Sequence, residues 1–93
     1  MNYYEEIKNK IIDDEVYQKV KDYSKEQHRV KTYFEIGKLL SDADKHYGEN
    51  IIGEYAKRLE NDFGKKYNER TLRRFRHFII YFILKNGHQW RPN

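Results

Sequence analysis

Apolar residues along the chain recur at intervals of three and four, and no stretch of strict apolar/polar alternation runs beyond a few residues. That periodicity belongs to amphipathic helices and not to half-buried strands. Tyr4, Ile7, Ile11 and Ile12 share one face and predict a first helix over 3–12, with Asp13-Asp14 as an acidic break and a cap for the next segment. Val16, Val20, Tyr23, Val30, Phe34 and Gly37 carry the spacing through a long second helix over 15–41, with Gln27 in the slot where an apolar residue is missing. The polar stretch Ser24 to Arg29 is where that helix would break or leave the core. Gly37 lowers helix stability by roughly 1 kcal/mol relative to alanine, a loss that close approach of another helix backbone would offset.

Asp42 to Asn50 is polar and reads as a loop. A third helix over 49–63 carries Ile51, Ile52, Tyr55, Ala56, Leu59 and Phe63 on one face. Gly64 stands where a left-handed C-cap glycine is expected, Lys65-Lys66-Tyr67 forms the turn, and Asn68 is a good N-cap for a fourth helix over 69–85. The fold class is therefore all-α: one domain over 1–93, a compact bundle of about four helices that contains a helix-turn-helix-like unit.

Charge changes the picture by region. Residues 1–64 hold 11 Lys/Arg against 14 Asp/Glu, whereas residues 65–93 hold 8 Lys/Arg against the single acid Glu69. The overall +4 thus conceals a basic C-terminal third suited to a polyanion. On a wheel at about 100° per residue, Leu72, Phe75, Ile79 and Phe82 make a compact apolar face on the fourth helix. Arg70, Arg73, Arg74 and His77 centre roughly opposite, and Arg76 flanks the core. A helix of this kind, basic in its N-terminal half, suits the major groove of DNA, and the planar fork of arginine matches guanine edges and phosphates. The candidate DNA-binding residues are Lys65, Lys66, Asn68, Arg70, Thr71, Arg73, Arg74, Arg76 and His77.

The next two turns differ. Ile80, Tyr81 and Leu84 fall away from the core stripe, so the stretch from Phe78 to Leu84 is apolar all round. Phe78, Ile80, Tyr81 and Leu84 accordingly form a candidate interface, for a homodimer or for a further protein domain. RNA is a weaker partner on these grounds, because exposed stacking aromatics are not grouped with the basic cluster.

Several segments resemble the N-terminal domain of the YhcG-like PDDEXK nucleases. They are Tyr33-Phe34-Glu35-Ile36-Gly37-Lys38-Leu39-Leu40, then Tyr47-Gly48, Ile51-Ile52, Ala56, Leu59 and Asp62-Phe63-Gly64, and finally Asn68 through Phe78. The match runs over roughly residues 30–82 with compatible spacing. It implies a helical, helix-turn-helix-like DNA-binding domain that in longer relatives precedes a nuclease domain. By position, Arg70, Leu72, Arg73, Arg76 and Phe78 correspond to the family's last-helix motif, and Phe34 and Gly37 to its helix-packing positions. Phe34 stands where tryptophan is common, Thr71 where asparagine is common and Phe75 where methionine is common. The sequence ends at Asn93 after Trp90-Arg91-Pro92, where relatives continue, so the expectation is a fragment, a truncated gene product or a stand-alone module that meets a nuclease or other domain in trans.

Catalysis is not expected. With no cysteine, thiolate metal sites and disulfides are excluded. Glu6-Ile7-Lys8 imitates the Glu-x-Lys element of a PDDEXK site but sits on a helix without the preceding strand-borne acid. Asp42, Asp44 and His46 sit in the polar loop without a glycine-turned calcium pattern. His28, His77 and His88 have no nucleophile partner at a recognisable spacing. No metal and no cofactor is expected. The longest apolar run, seven residues from Phe78 to Leu84, falls short of the ~20 a membrane helix needs. A cytoplasmic, non-enzymatic DNA-binding module is the reading that results, with a protein-interaction module as the alternative.

Overall fold

The computed structural model describes residues 2–20 and 24–86, with side chains through residue 81. The all-α expectation holds: helices α1 (Tyr3–Val20), α2 (Lys25–Tyr47), α3 (Asn50–Phe63) and α4 (Glu69–Asn86) follow in order, with a 3-10 turn over Lys65–Tyr67 between the last two, and no strand occurs among the described residues. α2 is the spine. It runs antiparallel to α1, as Lys10 pairs with Glu35 and Asp14 with His28. It also runs antiparallel to α4, as Arg76 pairs with Asp44 while Phe78 meets Phe34 edge-on. α3 closes the bundle against α1, where Tyr4 contacts Tyr55 and donates to Asp62.

Among the described residues the largest fully buried side chains are Ile7, Ile11, Ile36, Leu40, Ile52, Leu59, Leu72 and Ile79. All four helices contribute, so each is held by its apolar face rather than by propensity alone. Gly37 behaves as its place in the pattern predicts. A Cβ there would overlap the Phe75 carbonyl oxygen and lie 2.7 Å from Ile79 Cγ1, so α2 and α4 meet backbone to backbone.

Three boundaries differ from the sequence reading, each for a physical reason. α1 does not stop at Ile12; it runs through Asp13-Asp14 to Val20. Asp14 turns inward, where Gln18 Nε2 donates to its Oδ1 at 3.1 Å and His28 Nδ1 lies 2.7 Å from the same oxygen. The break falls before Lys25, at Ser24 in a left-handed conformation at φ 58°, the first residue of the polar stretch expected to break the helix. In consequence Val16, Val20 and Val30, expected in the core, are exposed, as is Ile12, while Tyr23 lies outside the described residues.

The expected loop over 42–50 is mostly helix, since α2 continues to Tyr47. Ala43 is buried, and the rings of His46 and Tyr47 pack on Tyr3. Only Gly48 and Glu49 remain as the connection to α3. Gly64 ends α3 with positive φ, but its ψ of 175° is extended rather than left-handed helical. That region is open essentially to glycine alone, and Gly48 occupies it too, at φ 89° and ψ 166°.

Candidate nucleic-acid interface

The start of α4 is set by its connection to α3. Gly64 reverses the chain and donates to the Glu60 carbonyl at 2.9 Å, and the 3-10 turn then buries Tyr67. Asn68 leaves the turn extended, at φ −72° and ψ 171°, and its Oδ1 accepts the Thr71 N–H at 2.9 Å. This is N-capping geometry, and it satisfies one of the donors that a helix start leaves open. The Asn68 side chain is thereby committed to the backbone of α4, and Thr71 is half-buried.

The basic residues of α4 fall into two groups. Arg70 and Arg74 are exposed and make no ion pair among the described residues, and His77 beside them is exposed. Arg73 and Arg76 are held. The Arg73 guanidinium donates through Nε and Nη2 to Glu69 Oε2 at 2.8 and 2.7 Å, and through Nη1 to Glu49 Oε1 at 2.9 Å. The Glu69 hydrogen bond, more than any other cause, raises the Arg73 pKa above its ordinary value. Arg76 Nη1 donates to Asp44 Oδ2 in a half-buried pair that ties α4 to α2. Of the turn lysines, Lys66 lies 3.4 Å from Glu15 and caps the face of the Tyr67 ring, while Lys65 is exposed.

An open groove runs along the outer side of α4, walled by the arginines and His77 at one end and by Phe78 and Tyr81 at the other. Phe78 and Tyr81 are 43% and 55% exposed and Ile80 is half-buried, whereas the Leu84 side chain lies outside the described residues. The basic and aromatic parts of the helix are thus contiguous on one surface.

Sequence alone marks Glu69 only as the single acid of the basic C-terminal third and gives Glu49 and Asp44 no part in this surface. Glu69 and Arg73 stand at i and i+4, a spacing legible as an ion pair. Glu49 and Asp44 reach α4 only through the tertiary fold. The other chemical candidates are absorbed elsewhere. Lys8 pairs with Asp62 at 3.6 Å, Asp44 with Arg76, and His28 with Asp14 beneath a stacked Tyr17 ring; His88 lies outside the described residues. No group of three or more side chains able to hold a metal occurs among the described residues, and none of the described helices is long and apolar enough to cross a membrane.

Comparison with curated proteins and with solved structures finds no match. A family model does match, over residues 6–90, from the end of the first turn of α1 to beyond the end of α4. That span takes in every helix of the bundle and the whole basic surface, and on it the chain belongs to the family of the DUF1016 N-terminal domain.

Proposed function

We propose that the chain is a DNA-binding module that lays the outer face of α4 against duplex DNA, and that it serves as the targeting domain of a YhcG-like nuclease. The observation that carries the proposal is the pair of exposed arginines, Arg70 and Arg74, which make no ion pair among the described residues and stand one helical turn apart beside His77. Residues 70–93 contain no Asp or Glu, so the rest of α4 adds no acidic side chain to this face. The short turn between α3 and α4 agrees with a helix-turn-helix in which α4 enters the major groove. Lys65 and the N-terminal turn of α4 would then lie near the phosphate backbone, where cations and helix N-termini favour anions. The nuclease role rests on the family and on the resemblance of Tyr33 to Leu40 and Asn68 to Phe78 to those enzymes.

The exposed pair Phe78 and Tyr81 supports a second, compatible reading, in which the end of α4 is a homodimer or interdomain contact. Fluorescence anisotropy with duplex, single-stranded and RNA probes at two salt concentrations tests the first. A steep salt dependence for duplex is expected, as each neutralised phosphate releases counterions. Equal, salt-insensitive affinity for all probes would count against it. Sedimentation over a concentration series tests the second, and a strict monomer at high concentration would oppose a homodimer.

A further inference from the structure

Resting on the DNA-binding reading, we infer that Glu49 and Glu69 form a releasable carboxylate guard on Arg73, standing where DNA phosphates would stand and giving way to them on binding. Arg73 offers its guanidinium fork to two carboxylates from different elements, Glu69 on α4 and Glu49 just before α3. Five donors in a plane satisfied by two anions is also the way arginine meets phosphate. The Glu69 carboxylate has a seat of its own. It lies over Gly53 of α3, with Oε1 3.3 Å from where a Cβ would stand, so the absence of a side chain at Gly53 makes room for it.

Exposure separates this guard from the neighbouring pair. Glu49 and Glu69 side chains are 66% and 51% exposed, and ion pairs this exposed to water add little to stability. A phosphate can replace them at small loss. Asp44 and Arg76 are only 23% and 24% exposed and join α2 to α4; breaking such a pair strands a half-buried charge. Arg76 is therefore a strut of the fold, Arg70 and Arg74 are available at once, and Arg73 is available after exchange. The guard also sets a threshold, since two carboxylates beside the groove repel any weakly held polyanion.

The test is a set of variants titrated with a fluorescent duplex at several salt concentrations, with thermal melts to confirm folding. Glu49→Gln/Glu69→Gln is expected to tighten duplex binding on the order of 5-fold. Arg73→Gln is expected to weaken it and to lower the salt slope by about 1. In the Arg73→Gln background, the gain from the two glutamine substitutions should largely vanish, and Glu54→Gln/Glu60→Gln, an equal charge change placed on α3, should give less than half of it. If the parent binds duplex but Glu49→Gln/Glu69→Gln does not tighten it, or tightens it equally without Arg73, the guard is wrong and the DNA-binding reading stands. If neither parent nor any variant binds duplex, both fall.

Discussion

Gly37 of α2 rests directly on the backbone of Phe75 in α4, close enough that an added methyl group would overlap the Phe75 carbonyl oxygen. Neither helix can withdraw freely. The stacked rings of Tyr33 and Phe75, 4.4 Å apart, and the Asp44–Arg76 pair flank the contact on either side.

Gly37→Ala is therefore expected to destabilise the fold even though alanine is the better helix former. The propensity gain is about 1 kcal/mol, and forcing a methyl into a backbone contact costs ~1–3 kcal/mol or more. Urea unfolding monitored by circular dichroism measures the balance. A midpoint at or above that of the parent would show that the helices separate easily, and would weaken the case that α4 is rigidly presented.

Asp14 concerns the other side of α2. Its side chain is 6% exposed, takes hydrogen bonds from Gln18 and His28, and has Arg29 Nε at 3.9 Å. Gln18 also donates to the Lys25 carbonyl at 2.9 Å, so the cluster ties the end of α1 to the start of α2. Asp14→Ala is expected to lower stability by about 1 kcal/mol, because it removes the acceptor shared by the half-buried Gln18 and His28. The loss should appear in thermal melts and be smaller for Asp14→Asn, which retains an acceptor oxygen. Equal stability of all three proteins would contradict the inward placement of Asp14.

How much of this was legible in the sequence varies along the chain. α3 and α4 were, because their apolar faces are regular and their ends carry glycine and asparagine, whose conformational roles are local. α1 and α2 were not. Val16, Val20 and Val30 continue the apolar rhythm yet face outward, and Asp14 interrupts it yet faces inward; only a tertiary partner such as His28 reveals such an inversion. The segment over 42–47 read as a loop because its polar residues find partners, Arg76 and Tyr3, that lie far away in sequence. For the candidate interface, the basic face was legible from spacing, but the division between held arginines and those without an ion pair among the described residues needed the positions of Glu49 and Asp44.

Alkaline pH offers a test of the α1–α3 contact. Burial, followed by the hydrogen bond to Asp62, pushes Tyr4 up to about 12 from an ordinary 10.0. The folded state thus favours the neutral phenol. Its contribution is fully present below pH 10 and is lost as pH rises from 10 towards about 12. Burial raises Tyr67 in the same direction. The urea midpoint should fall across this window, and Tyr4→Phe should flatten part of the fall. A Tyr4→Phe profile parallel to that of the parent would show that Tyr4 does not couple to folding.

The basic face predicts that Arg70→Glu/Arg74→Glu abolishes duplex binding without loss of helix content. Neither residue is committed to an ion pair among the described residues, so the fold should not depend on them. Arg76→Glu would instead lower stability, since it sets a carboxylate against Asp44. Duplex anisotropy alongside thermal melts separates the two effects. Duplex affinity that survives the Arg70/Arg74 reversal would remove α4 from the interface.

The spine position of α2 has a kinetic side. α3, its glycine turn and the start of α4 are neighbours in sequence and can form early, whereas α2 must meet α4 across long separations, 32 residues between Asp44 and Arg76. Closing so wide a loop is paid for in chain entropy before any packing is gained. The backbone contact at Gly37 is then expected to form after the local pairing of α3 with α4. Substitutions there should act on the unfolding limb of a chevron more than on the folding limb, which would make the fixed presentation of the basic helix a late event in folding.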